Sequence, residues 1–144
     1  MAEQGGIAIS NPYPDMNLAE VVDFIEAKDV KRFSSLVNQF RADPNVGELM
    51  VLLNSDDERI VEVGVYIASE ISVDKSDAPP MVVRLRELIN HPNWSIRFHA
   101  MGALYEFLDP ADPVTKEMYA KLSQDSAKSV RSRAEAGMKR LGLQ

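Results

Sequence analysis

Cysteine is absent from the 144 residues. That excludes a disulfide scaffold, a thiolate zinc site and a cysteine nucleophile. His91 and His99 are the only histidines, too few for a His-based metal centre. No run of about twenty apolar residues occurs, so no segment reads as a membrane span. The opening Met1-Ala2-Glu3-Gln4-Gly5-Gly6 lacks the basic and apolar regions of a signal peptide. A cytoplasmic protein is the expectation. Strand signals are scarce too: there is no Asn-Gly or Asp-Gly turn and no sustained period-two alternation. No Gly-rich phosphate loop is present either, because Gly5-Gly6 leads directly into no helix.

What is there fits one domain. The chain is 45% hydrophobic and 26% charged, ordinary for a globular protein with a real core. The net charge of −6 is unevenly spread. Residues 1–80 carry fifteen Asp/Glu and six Lys/Arg, giving −9; residues 81–144 carry seven and ten, giving +3. An acidic protein is poorly suited to neutralising phosphates. The acidic half points to a basic partner. The basic end, with Lys128, Arg131, Arg133, Lys139 and Arg140, reads as a solvated helix face complementing the helix dipole. A weak nucleic-acid contact is the lesser alternative.

Helical periodicity dominates. Residues 1–17 read as an irregular segment broken by Gly5-Gly6, Pro12 and Pro14. Helices are expected over 18–27, 30–42, 46–53, from a cap at Ser55 to about 72, 79–90, from 93 or 94 to 108, 113–123 and 126–141. Ser55 and Glu58 have the spacing of a capping box. Pro79-Pro80 and Asp112-Pro113 suit helix starts, and Gly142 suits a C-terminal cap. Short links between the eight helices favour four antiparallel pairs within a single domain, 18–144.

The pairs repeat. Leu52-Leu53-Asn54 matches Leu88-Ile89-Asn90 at an offset of 36, and Leu122-Ser123-Gln124 follows after a further 34. In the second helices Ile60 matches Ile96 and Val130, Gly64 matches Ala100 and Ala134, and Ile67 matches Ala103 and Gly137. A period in the mid-thirties signals a solenoid, in which stacked pairs share a continuous core. Residues 18–42 fit the register poorly and read as a divergent capping pair. The segments 93–104 and 127–138 carry an aliphatic-Arg step, Ile96-Arg97 and Val130-Arg131, followed by small residues. They resemble the second helix of a HEAT-type (armadillo-like) repeat over roughly 46–142; at the second pair Val61 replaces the Arg. The resemblance implies an all-α fold, a short α-solenoid of about four antiparallel pairs. Most HEAT-like proteins are binding scaffolds. Some small relatives are enzymes: bilin lyases, DNA glycosylases and deoxyhypusine hydroxylases. The hydroxylases hold iron with His-Glu pairs, and no His-Glu dipeptide exists here.

The acids Asp56, Asp57, Glu58 and Glu62 lack the loop spacing of an EF-hand and read as an acid-rich helix N-terminus. His99 reads as structural. No metal and no cofactor are expected. One constellation stands out. Turned at 100° per residue, the helix from Trp94 presents a core stripe of Ile96, Ala100, Ala103, Leu104 and Phe107. On the other side lie Trp94, Phe98, Met101 and Tyr105, which the core register does not require. Their equivalents are Glu58, Glu62, Val65 and Ser69 in the preceding pair and Lys128, Ser132, Glu135 and Lys139 in the following one. The row passes from acidic through aromatic to mixed basic. Tyr66 and Glu70, one step round the preceding helix, extend it. The candidate partner-binding residues are therefore Glu58, Glu62, Tyr66, Glu70, Trp94, Phe98, Met101 and Tyr105. Aromatics and Met are enriched in interface cores. Two other fates for the stripe stay open: cover by residues 1–17, or packing against a neighbouring pair.

The expected function is a non-catalytic protein-binding module that binds a basic protein. In size and acidity the chain resembles bacterial immunity proteins, which neutralise toxin nucleases. A HEAT-like small-ligand binder or lyase using the groove is the alternative.

Overall fold

Six of the eight helices start at a side chain that takes a free backbone N–H, which satisfies donors the helix itself cannot. The caps are Asn17, Asp29, Asn45, Asp57, Asn93 and Asp112. They open α1 (Leu18–Glu26), α2 (Val30–Ala42), α3 (Val46–Leu53), α4 (Glu58–Glu70), α6 (Trp94–Leu104) and α7 (Pro113–Leu122). The other two are α5 (Pro79–Leu88), which opens on proline, and α8 (Lys128–Leu141). The computed structural model describes residues 17–143, and among these there is no strand. The irregular segment expected at 1–17 lies outside the described residues except for Asn17.

α4 and α5 end at Glu70 and Leu88, two residues short of the expected 72 and 90, and three other local expectations change. The capping box at Ser55 and Glu58 does not form. Asp57 is the cap, accepting from the Arg59 N–H at 2.9 Å, and Ser55 Oγ accepts from the Asp57 N–H at 3.1 Å. Asp57 sits next to the first helical residue and wins the competition for its donors. The sixth helix stops at Leu104 and tightens into a 3₁₀ turn, Tyr105–Phe107, rather than reaching Leu108. Such tightening is common where a helix runs out, here just before Asp109-Pro110. The last helix begins at Lys128, two residues later than expected. Its end is as expected: Gly142 has φ +70°, and the Leu143 N–H reaches back to the Met138 carbonyl at 2.8 Å.

Packing follows the pairing. α3 packs on α4, α5 on α6 and α7 on α8; α6 touches both α4 and α8, and α3 touches α5. The divergent first pair packs on itself and on α4. The register positions fill the core: Ile60, Ile96 and Val130 are buried, as are Ala100 and Ala134. Each large aliphatic so buried contributes about 1.5–3 kcal/mol. Gly64 occupies the same row because α4 sits close to α3; a Cβ there would lie 3.0 Å from the Leu52 Cβ.

The turns repeat as well. Ser55, His91 and Asp125 are equivalent by offset, and each accepts the N–H two residues on, at 3.1, 3.0 and 2.8 Å. Arg97 donates Nη1 to the His91 and Pro92 carbonyls, both at 2.9 Å. Arg131 donates to the Asp125 and Ser126 carbonyls at 2.8 and 3.1 Å. The arginine of each aliphatic-Arg step therefore ties down the turn leading into its own helix.

Candidate functional site

The eight residues singled out from the sequence fall into three environments. Trp94 is 50% exposed at the start of α6. Phe98, one turn on, is half-buried, with its ring 6.3 Å from the Trp94 ring in an edge arrangement. Beside them Glu58 is exposed and accepts from Asn93 Nδ2 at 3.0 Å. Glu62, partly exposed, lines a neighbouring hollow with Tyr66, Ser95 and His99. Met101 is different: at 1% exposure it is core. Tyr105, half-buried in the 3₁₀ turn, lines a separate cavity together with Glu70. Glu70 is paired with Arg41, Nη2 to Oε1 at 2.7 Å. Tyr66 lies between the two regions.

His99 joins them. Its ring stands 5.4 Å from Tyr66 and 5.1 Å from Phe98, both edge-on. Nδ1 faces the Ser95 carbonyl at 2.9 Å and therefore donates to it, which fixes the ring's orientation. Beyond Tyr66 the contacts continue to Phe33 at 5.3 Å and to Phe24 at a further 6.2 Å. Aromatic rings thus run without a break from α1 to the exposed end of α6. A shallow cavity of about 270 Å³ opens along this run, between Phe33, Glu62, Tyr66 and His99.

The larger cavity, about 420 Å³, lies among α4, α6, α7 and α8. Its wall is built by a glycine. By offset Tyr66 corresponds to Gly102, and His99 to Arg133. Where His99 meets the Tyr66 ring, Arg133 meets no side chain at position 102. Its guanidinium occupies that space, so a Cβ on Gly102 would overlap Nη1. The guanidinium stacks on the Phe98 ring, 3.9 Å from the centroid, and Nη1 donates to the Phe98 carbonyl at 3.2 Å. Burial pulls its pKa below the usual arginine value, against Tyr119 and Glu70, which pull it up. Tyr119 is 1% exposed, and burial pushes its phenol up to about 12, with Tyr105 adding to the shift. Its ring lies over Gly137, where a Cβ would come within 2.7 Å.

Arg133, Tyr119, Gly102 and His99 were not among the residues read as a site from the sequence. Arg133 was grouped with the solvated basic face, because its charge hides a side chain that crosses to α6. The one available signal was the register itself, which sets a glycine against Tyr66. Among the described residues, no group of three or more His, Cys, Asp or Glu side chains comes together to hold a metal ion. No described helix is long and apolar enough to cross a membrane. No family model, no curated protein and no solved structure matches the chain.

Proposed function

We propose that this chain is a non-catalytic protein-binding module, a short HEAT-like solenoid of antiparallel helix pairs, that engages a partner with a basic surface. The observation that carries the reading is Trp94: half exposed, in edge contact with Phe98, and next to Asn93, which holds the Glu58 carboxylate. A tryptophan held in one orientation at a charged rim has the make-up of an interface anchor. The surplus of acids in residues 1–80 would steer a cationic partner toward it. An inhibitor or immunity-type role against a toxin nuclease fits this chemistry, since carboxylates would cover the cations that such an enzyme uses for nucleic acid.

Direct nucleic-acid binding through the C-terminal bases is less favoured. Arg131 and Arg133 donate to carbonyls within the chain, which leaves Lys128, Lys139 and Arg140 for a phosphate backbone.

The test is capture at low salt from the source cell, followed by reconstitution with the purified partner. Trp94→Ala should weaken binding at least about tenfold, as interface anchors do, without unfolding the chain. Glu58→Gln with Glu62→Gln should slow association and flatten its salt dependence. An association rate that is the same at low and high salt in the unmodified chain would refute the basic-partner reading.

A further inference from the structure

We propose that the cavity among α4, α6, α7 and α8 binds a small free acid, a carboxylate or phosphate monoester, whose oxyanion is taken by Arg133. This inference is independent of the protein-binding reading, because it concerns a different opening and a different ligand.

Three observations converge on it. First, the cavity has a structural cause. Gly102 stands where the preceding junction has Tyr66, and the Arg133 guanidinium fills that place and so forms one wall of a cavity of about 420 Å³, within the usual range for ligand sites of about 300–1,000 Å³. Second, the arginine is held but not neutralised. Arg133 is partly buried and fixed by the Phe98 ring and carbonyl, yet makes no ion pair among the described residues. One N–H is used, and the rest of a planar fork suited to an oxyanion remains. A partly buried charge with no direct ion pair, and only the more distant Glu70 to balance it, is stabilised by an anion that can reach it. Third, Tyr119 lines the same cavity. Its hydroxyl makes no hydrogen bond among the described residues and is not sealed from solvent, so it can donate to a ligand oxyanion.

Other charges tune the ligand. Arg140 lines the cavity, is exposed and has no partner among the described residues, so it can add a second cation. Glu70 also lines it, but Arg41 holds one of its oxygens. A small monoanion or dianion therefore fits better than a long polyanion, which Glu70 would repel.

The experiment is titration of the full chain with inorganic phosphate and, separately, with benzoate, read by amide shifts at Gly102 and Gly137 and by Trp94 emission. Saturable shifts at both glycines are expected with at least one probe. Arg133→Gln should weaken binding tenfold or more, and Tyr119→Phe severalfold, with circular dichroism unchanged. If Arg133→Gln does not fold, Arg133→Lys serves in its place, since it keeps the charge but loses the fork, and it should also weaken binding. Absence of saturation with either probe, or equal affinity in the Arg133 variant, would overturn the proposal. Strong binding of both probes with no effect on Trp94-dependent partner binding would leave the two sites separate, as proposed.

Discussion

Arg97 and Asp125 form a two-pronged ion pair across two helix pairs: Nε to Oδ2 at 2.9 Å and Nη2 to Oδ1 at 2.8 Å, with side chains only 12% and 10% exposed. Arg97 also holds its own turn, and Asp125 also caps the Ala127 N–H, so one contact locks two successive turns together. Asp125→Ala should cost about 3 kcal/mol, because it leaves Arg97 buried and unpaired. Chemical denaturation would measure the loss.

The same pair sets an acid limit. The Arg97 guanidinium holds the Asp125 carboxyl below the ordinary carboxylate range. A folded pKa lowered in this way contributes stability fully above the unfolded value of about 3.9. That contribution fades as pH falls through the folded value. Unfolding free energies between pH 6 and 3 should drop less steeply in Asp125→Asn than in the unmodified chain. Parallel slopes would show that other carboxylates carry the acid transition.

Tyr119 sets an alkaline limit of the opposite sign. Its folded phenol titrates at about 12 and an exposed tyrosine near 10. The folded state therefore binds the extra proton between those values, and stability falls as pH rises from about 10 to 12. Absorbance of tyrosinate should show one of the four tyrosines ionising late. Tyr119→Phe should remove that late phase and change stability at neutral pH by less than about 1 kcal/mol, because the hydroxyl has no partner to lose.

Two glycines in neighbouring rows respond differently to alanine. Gly137→Ala drives a Cβ to within 2.7 Å of the buried Tyr119 ring and should cost about 1–3 kcal/mol. Gly102→Ala meets only the end of a flexible side chain, that of Arg133. Gained helix propensity, about 1 kcal/mol, roughly offsets the lost stacking. Its Tm should change little, while Trp94 emission shifts as Arg133 leaves the Phe98 ring next to it.

Lys28 ends α1 in the left-handed region, φ 53°, with the Asp29 N–H bonded back to the Phe24 carbonyl at 2.9 Å. Gly142 makes the same turn at the end of α8 without a Cβ. Lys28→Gly should stabilise the chain by about 0.5–1 kcal/mol. A thermal melt would show this as a rise of a few degrees.

Much of the architecture was legible in one dimension because its causes are local. Breakers such as Asp43-Pro44 and caps such as Asn93 act within a few residues, and the 3.6-residue periodicity marks which face is buried. The bounds of α2 and α3 are those read from the sequence. The 36- and 34-residue offsets predicted equivalent core positions because each pair meets its neighbour through the same rows. Where two nearby residues could each serve as the cap, as Ser55 and Asp57 could at the start of α4, local pattern does not name the one that does.

Surface chemistry divided differently. Trp94 at the helix start could be placed from the sequence, because exposure there follows from the helix face. Met101 on the same stripe is buried, in the wall of the cavity among α4, α6, α7 and α8, which helix-face arithmetic alone does not give. Arg133 shows the limit most clearly. Its charge, in a stretch that also holds Arg131, Lys139 and Arg140, assigns it to a solvated face by local rules. Only the crossing of α8 over α6, at a glycine 31 residues earlier in the chain, turns it inward onto Phe98. Helix formation depends on neighbours along the chain. The cavity depends on which side chain is missing from the neighbouring helix, and only packing decides that.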